Sequence, residues 1–191
     1  MSTDRTASAT LAPGFDPIEA RIIEERARRL AAPPAAAGDD AIHVILVFRV
    51  GAELYGLDLA FVAQVVRVGS LVQIPGARPP FAGIFTLRGG IVSAFSLSQA
   101  IGQPQKPMTE QTRAIVCGTE TSRFALLADE VLQVESVRAG ALTPPESTAA
   151  LTGCTRGLTA TGIIVLDGEP LAKTGGPLFT GPEGLGSVGQ D

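Results

Sequence analysis

The stretch Phe81-Ala-Gly-Ile-Phe-Thr-Leu-Arg-Gly-Gly-Ile-Val92 says most about the fold of this 191-residue chain. Two apolar-rich runs, 83–87 and 90–97, lie on either side of Arg88 and Gly89. Glycine gives the backbone room to reverse direction, and short apolar runs on both sides of a turn are typical of paired strands. The stretch therefore predicts a strand, a tight turn that carries Arg88, and a second strand.

Similar short runs, rich in Val, Ile and Leu, continue on both sides of this stretch, with Gly, Pro and Asp between them. They cover residues 43–50, 54–59, 62–68, 71–74, 83–87 and 90–97, and then 113–117, 123–127, 131–137, 157–159 and 162–166. Many short strands separated by turn residues predict an all-β barrel or sandwich. The proline-containing segment 102–112 divides the runs into two series.

The two series resemble each other at a spacing of 69 residues. This spacing pairs Tyr55 with Phe124, Leu57 with Leu126, Val62 with Val131, Gln64 with Gln133 and Val65 with Val134. Further on the spacing drifts, and Gly83 then matches Gly157 while Gly90 matches Gly162. A repeat of this length suits a small barrel of about five strands. We therefore expect two five-stranded β-barrels packed side by side with a groove between them. The first would cover about 42–101 and the second about 112–172.

The two ends of the chain differ from this β region. Asp16, Pro17 and Glu19 are helix-start residues, and Ile18 and Ile22 belong to an apolar stripe at helical spacing, which predicts a short helix over about 16–31. The helix either packs on the barrels or binds a partner. The remainder of 1–41 and the Gly-rich segment 173–191 are expected to be flexible.

Composition argues against several functions. The net charge is −4, no run of five or more basic residues occurs, and the chain has eight Phe, one Tyr and no Trp. Nucleic-acid binding would need a basic surface and stacking aromatics, so we expect none. No apolar run approaches the ~20 residues of a membrane helix, and the first ten residues are polar, so we expect a cytoplasmic protein without direct membrane insertion.

No set of residues predicts catalysis, a metal site or a cofactor. His43, the single histidine, lies in an apolar run and is expected to be a satisfied or solvent-facing strand residue. Cys117 and Cys154 lack the CxxC spacing of a zinc site. Asp129 and Glu130 are adjacent carboxylates without an evident third ligand. The interpretation is a non-catalytic protein.

Four segments in order resemble the CheW-like domain. They are Val47-Phe-Arg-Val-Gly-Ala-Glu-Leu-Tyr-Gly-Leu-Asp58, Val62-Ala-Gln-Val-Val66, Ile74-Pro75 and Gly83-Ile-Phe-Thr-Leu-Arg-Gly-Gly-Ile-Val92. Phe124-Ala-Leu-Leu-Ala-Asp-Glu-Val131, Thr155-Arg-Gly-Leu158 and Gly162-Ile-Ile-Val-Leu-Asp167 resemble the second half of that domain. The likeness covers about residues 42–172 and implies two SH3-like barrels, in agreement with the repeat.

The resemblance also implies a function. Such proteins are adaptors that couple the cytoplasmic tip of a chemoreceptor to the regulatory domain of a CheA-like histidine kinase, and they assemble with other CheW-like proteins in membrane-associated arrays. It implies a receptor tip docked in the groove between the barrels. Apolar Val62, Leu71, Val72 and Ile84 are candidates to line that groove, although most residues of this type belong to a core.

The resemblance places four partner-binding residues. Val62 and Gln64 match positions that contact protein partners, and Gly83 and Arg88 match positions used in coupling. Arg88 either offers a charged fork to a partner or mainly holds its own turn. Gly83 has the alternative of a purely backbone role.

Departures from the family pattern leave other functions open. Thr86, Ser93 and Ser96 stand where the family usually has Asn, Pro and Asp, and Gln64 stands where many members have Glu. These changes are compatible with a pathway that controls type IV pili or gliding. A further alternative is a sensory module that binds a small ligand in the inter-barrel groove.

Overall fold

The structure, a computed structural model, describes residues 18, 21, 22 and 24, then 41–104, 106–118, 123–144, 151 and 153–172. Within these ranges the strands are β1 (Ile42–Val50), β2 (Glu53–Asp58), β3 (Val62–Arg67), β4 (Phe81–Leu87), β5 (Gly90–Ser96), β6 (Arg113–Gly118), β7 (Arg123–Ala128), β8 (Glu130–Arg138), β9 (Thr155–Leu158) and β10 (Ile163–Leu166). Two short helices, α1 (Leu97–Ala100) and α2 (Gly168–Ala172), follow β5 and β10, and a 3-10 turn covers Ala139–Ala141. The prediction of an all-β protein is confirmed.

The strands form two five-stranded sheets that each combine both halves of the chain. Barrel A has the strand order β8-β1-β2-β10-β9, and barrel B has the order β3-β6-β7-β5-β4. The division into one barrel over 42–101 and another over 112–172 is therefore wrong. The repeat shows which strands are alike, but a strand pairs equally well with its own repeat or with the other one, because the alternation of apolar residues is the same in both.

Strand order confirms the internal duplication itself. Replacing each strand of barrel A by the strand five places away in chain order, β1 by β6 and so on, gives the order of barrel B. Both barrels also contain the same bulge. The register shifts between Val62 and Gln64 on β3, and Leu132 is passed over between Val131 and Gln133 on β8. The 69-residue spacing read from the sequence therefore pairs structurally equivalent residues.

The core has three parts, because the central strands bury both faces. Alternate residues of β1 and β6 fill the barrel interiors, and the residues between them meet in a shared core between the barrels. The shared core contains Leu46, Phe48, Tyr55, Leu57, Val62, Val65, Ile115, Cys117, Phe124 and Leu126, among others. This double burial explains the continuous apolar runs at 44–48 and 114–117, which one-sided strands would not need.

A glycine lies where each barrel closes. The segment after β3 returns to β4 through a bridge between Val72 and Ile84, and the segment after β8 returns to β9 through a bridge between Thr143 and Leu158. A Cβ on Gly83 would lie 2.5 Å from the carbonyl oxygen of Val72. The sequence-equivalent Gly157 would place its Cβ 2.9 Å from the carbonyl oxygen of Thr143. Both positions need glycine because backbone passes over backbone there.

The N-terminal helix packs on the barrels. Residues 18, 21, 22 and 24 are helical, Ile22 is only 2% exposed within the shared core, and Ile18 packs against the same core. Of the two roles open to this helix, the structure favours packing on its own domain. The rest of the predicted helix over 16–31, residues 1–15 and the tail over 173–191 lie outside the described residues.

Candidate functional site

Arg88 occupies a tight hairpin turn. Leu87 pairs with Gly90 across the ends of β4 and β5, so Arg88 and Gly89 are the two central turn residues. Their φ angles are +50° and +82°, and positive φ at both positions is the condition of a type I′ turn. Gly, Asn or Asp normally fills the first position, because Gly has no Cβ to clash at a positive φ and the short side chains of Asn and Asp can hydrogen-bond locally. Arginine is therefore a poor choice for the turn alone.

The side chain of Arg88 does not hold its own loop. It is exposed, and within the described part of the chain it makes no hydrogen bond or ion pair. The alternative in which Arg88 staples the turn thus has no support in the geometry. A guanidinium displayed in this way is available for a carboxylate or carbonyl of another molecule.

An exposed apolar surface lies beside this turn. Strand register places Val72, Ile84, Ser93 and Phe124 in one row across barrel B, with all four side chains on the same face. The buried end of the row, Phe124, belongs to the shared core, whereas Val72 at the other end is 58% exposed. The row, here called the apolar row, carries the inter-barrel core out to the surface.

The neighbouring pair of residues brings this surface to the hairpin. Ile91 pairs with Thr86 two residues nearer the turn, on the same face of the sheet, and it is 74% exposed, more than any other large hydrophobic residue described. Isolated apolar residues on a surface are ordinary, but Val72 and Ile91 lie on one sheet face next to a free guanidinium. This combination fits a partner that presents an apolar face and an acidic or carbonyl group.

In barrel A the corresponding hairpin turn, residues 159–162, has no arginine, and beside that turn lies the row equivalent to the apolar row. It runs through Thr143, Leu158, Ile164 and Tyr55. The Tyr55 hydroxyl donates a hydrogen bond to Glu53 Oε2 at 2.5 Å. Burial, with help from the Glu53 carboxylate, raises the Tyr55 pKa far above its ordinary value, so the phenol stays protonated. The candidate site therefore belongs to barrel B.

Of the other predicted partner residues, two are not accessible. Val62 is 0% exposed in the shared core and Gly83 is buried at the barrel closure, so direct contact with a partner is excluded for both in this conformation. Gln64 is half-buried on β3, which ends the strand order of barrel B. The expectation that Val62 lines an open groove is wrong, because its side chain lies on the sheet face that is buried in the shared core.

The residues that depart from the family pattern have separate explanations. Ser96 caps α1: its hydroxyl accepts a hydrogen bond from the Gln99 amide at 3.4 Å, a task that serine and aspartate both perform. Thr86 is exposed opposite Ile91, and Ser93 is half-buried within the apolar row. The Thr86 and Ser93 changes therefore alter the surface next to Arg88, whereas the Ser96 change preserves a cap.

His43 belongs to a polar network on barrel A. Its Nδ1 lies 2.9 Å from Asp58 Oδ2, and Arg156 Nη1 lies 3.1 Å from the same nitrogen and 3.2 Å from Nε2. Arg156 also reaches Asp167 at 3.5 Å. Asp58 and Arg156 thus occupy the surroundings of the imidazole, which confirms the prediction of a satisfied strand histidine.

The cysteines also behave as core residues. Both are buried in the shared core, and desolvation raises the Cys117 pKa to about 12. Burial and the nearby Asp167 carboxylate raise the Cys154 pKa as well. Thiols that stay protonated are poor nucleophiles and poor metal ligands. Over the described residues, no three His, Cys, Asp or Glu side chains come together in a way that could hold a metal ion.

Among the residues that the structure describes, the interface between the barrels is closely packed. A cavity lined by Leu57, Phe61, Cys117, Gly118, Phe124, Gly168 and Leu171 has a volume of about 10 Å³, room for one water molecule. A drug-sized ligand needs a pocket of roughly 300–1,000 Å³. This close packing counts against a small ligand bound between the barrels.

Over the described residues, no helix is long and apolar enough to span a bilayer.

Comparison with known proteins agrees with the geometry. Residues 44–175 match the family model of the CheW-like domain. The chemotaxis protein CheW of Bacillus subtilis (strain 168) is 24% identical over 93 residues, which is 49% of this chain and 60% of that protein. CheW of Treponema pallidum (strain Nichols) is 26% identical over 108 residues, 54% of this chain and 63% of the relative. The matched part thus spans somewhat less than two thirds of each relative.

A solved structure shows the same fold. The crystal structure of the scaffolding protein TtCheW from Thermoanaerobacter tengcongensis is similar with a TM-score of 0.60 and 26% identity, over 71% of this chain and 90% of that one. This likeness confirms the expectation of two SH3-like barrels. The family match, the ordered motifs and the shared architecture together show that the chain belongs to the CheW-like domain family.

Proposed function

We propose that this protein is a non-catalytic chemotaxis-type adaptor that couples chemoreceptor tips to the regulatory domain of a CheA-like histidine kinase. It would work in the cytoplasm, recruited to membrane-associated receptor arrays alongside other CheW-like proteins. Family membership supports the adaptor role. The observation that carries the proposal is Arg88, which has an unfavourable backbone angle, no partner among the described residues, and an exposed apolar surface beside it.

Two surfaces would divide the work. The apolar row and Arg88 would receive the receptor tip, because an amphipathic helix offers an apolar stripe flanked by charged residues. The accessible part of β3 around Gln64 would face the kinase. Gln64 replaces the carboxylate of many relatives, so this contact would depend less on ionic strength than a charged one. Weak single contacts suffice when many are linked in one assembly.

Sedimentation of the purified chain with a CheA-like kinase regulatory domain and a receptor cytoplasmic fragment from its own host tests this function. We expect a ternary complex, and we expect Arg88→Ala to weaken receptor binding about tenfold. Arg78→Ala is the matched control, since Arg78 is also exposed but precedes the opposite end of β4. Failure to bind any such kinase or receptor would exclude the adaptor role. Equal losses in both variants would remove Arg88 from the interface.

A further inference from the structure

Two arginines face each other at the end of barrel B. Arg67 on β3 pairs directly with Arg113 on β6, and strand register puts both side chains on the same face as Ala128 of β7. Arg67 is exposed and Arg113 is half-buried. Over the described residues, no carboxylate lies within ion-pair distance of either guanidinium. Like charges directly opposite each other on antiparallel strands oppose folding.

The chain fixes one of these guanidinium groups at the surface. Arg113 Nη1 donates to the carbonyl oxygens of Glu110 at 2.7 Å and of Thr112 at 3.1 Å. Backbone carbonyls hold the group in place without neutralising it. Its remaining N–H groups are therefore oriented and charged before any partner arrives, which lowers the cost of ordering them on binding.

The internal duplication shows that the fold does not require this pair. At the 69-residue spacing, Ala128, Arg113 and Arg67 correspond to Leu59, Val44 and Ser136 of barrel A. These three residues form the same row there, with Val44 paired to Ser136 and its carbonyl accepting from the Leu59 amide at 2.9 Å. One barrel thus builds the row without charge, whereas the other places two like charges in it.

We propose that Arg67 and Arg113, here called the arginine pair, form a docking site for an acidic segment of a partner protein. Opposed strand residues lie about 4.5–5.5 Å apart at Cα, so the two groups can engage carboxylates from neighbouring side chains of one segment. The planar guanidinium matches a carboxylate in a bidentate manner. The acidic net charge of −4 and the scarcity of aromatic residues favour a protein segment over nucleic acid. The site is independent of the function proposed for Arg88.

Titration of the full-length ¹⁵N-labelled protein with a peptide of alternating Glu and Ser tests the site. We expect the side-chain Nε–H signals of the arginine pair to shift with the Glu peptide at low salt, and to stay unchanged with the corresponding Gln peptide. Inorganic phosphate serves as a second probe. Shifts of equal size with phosphate at the same charge concentration would show a general anion site and overturn the proposal, as would the absence of shifts with the Glu peptide.

The equivalent residues of barrel A provide substitutions that are compatible with the fold. Arg67→Ser and Arg113→Val reproduce Ser136 and Val44, and we expect the double variant to bind the Glu peptide at least about tenfold more weakly. Arg123→Ser, at the opposite end of the β6 and β7 pair, is the control for charge and should keep full affinity. The midpoint of urea unfolding should stay the same or rise in the double variant. Unchanged peptide affinity in the double variant, or an equal loss in the control, would refute the docking site.

Discussion

Substitution of four glycines by alanine, two at the barrel closures and two elsewhere, distinguishes the free-energy cost of backbone strain from that of steric conflict. Gly83 combines a φ of +146° with a Cβ position 2.5 Å from the Val72 carbonyl oxygen, and Gly157 has the close contact at 2.9 Å without a positive φ. Gly89 has a φ of +82° in open space, and Gly69 has neither constraint. The series therefore measures backbone strain and steric conflict separately and together.

The expected losses follow from these geometries. A non-glycine residue at a sparsely populated φ costs about 1–3 kcal/mol. Displacing the bridge between Val72 and Ile84, with hydrogen bonds of 2.8 and 2.9 Å, puts two bonds of about 1 kcal/mol each at risk. Gly83→Ala should thus lower the free energy of unfolding by about 3–5 kcal/mol. We expect the free energy of unfolding to fall by about 1–3 kcal/mol for Gly157→Ala, about 1–2 kcal/mol for Gly89→Ala, and less than about 0.5 kcal/mol for Gly69→Ala.

Urea unfolding followed by far-UV circular dichroism is the suitable assay, since the chain has no Trp and one Tyr. If Gly83→Ala matches Gly69→Ala within about 0.5 kcal/mol, the barrel closure does not require glycine at position 83. Partner binding should be measured on the folded fraction of each variant. A Gly83→Ala protein that stays folded and loses partner affinity would instead make this glycine a contact position.

Four further outcomes are expected. Arg88→Gly should raise the free energy of unfolding by about 1 kcal/mol in urea, because glycine tolerates the positive φ, while receptor binding falls. Neither Cys117 nor Cys154 should react with Ellman's reagent at about pH 8 until the protein unfolds. Since burial raises the folded-state Cys117 pKa from 9.0 to about 12, its contribution to stability is complete below pH 9 and should be lost as the pH rises toward 12 in base titrations. Ile22→Ala should lower the free energy of unfolding by about 2–5 kcal/mol in the same urea assay, because Ile22 lies in the shared core, and an unchanged value would contradict the packing of the N-terminal helix.

Much of the fold follows from periodicity and repetition in the sequence. The repeat identifies equivalent strands at a spacing of 69 residues and, where the spacing has drifted, the equivalent glycines at the closures, Gly83 and Gly157. Strand exchange between the repeats did not follow from it. Two repeats with the same apolar alternation can form barrels from their own strands or from each other's, and no local pattern distinguishes these topologies. The two topologies differ only in long-range strand pairing, such as that of β1 with β8, which the structure shows.

The sequence pattern also does not predict which way the side chains of the central strands point. Where apolar residues alternate with polar ones, burial can be predicted, but 44–48 and 114–117 are apolar throughout. Each of these strands separates a barrel interior from the shared core, so both faces are buried and the alternation disappears. The same double burial accounts for Val62, which looked like a surface candidate and is a core residue.

The duplication also separates residues that maintain the fold from residues that serve one task. Val62, Gln64 and Gly83 each have a counterpart at the same structural position of the other barrel, namely Val131, Gln133 and Gly157. A property present in both barrels is most simply a requirement of the fold, as the closure glycines show.

Arg88 and the arginine pair have no such counterpart. The barrel A turn instead ends in Gly162 at a φ of +82°, and the Thr159 hydroxyl accepts a hydrogen bond from the Ile163 amide at 3.0 Å. That turn satisfies its backbone with its own side chain, whereas the barrel B turn presents a charged one to solvent. Selection for folding alone would remove an arginine from a positive φ and two like charges from one strand pair. Their presence in one barrel only is the physical reason to expect partners on barrel B.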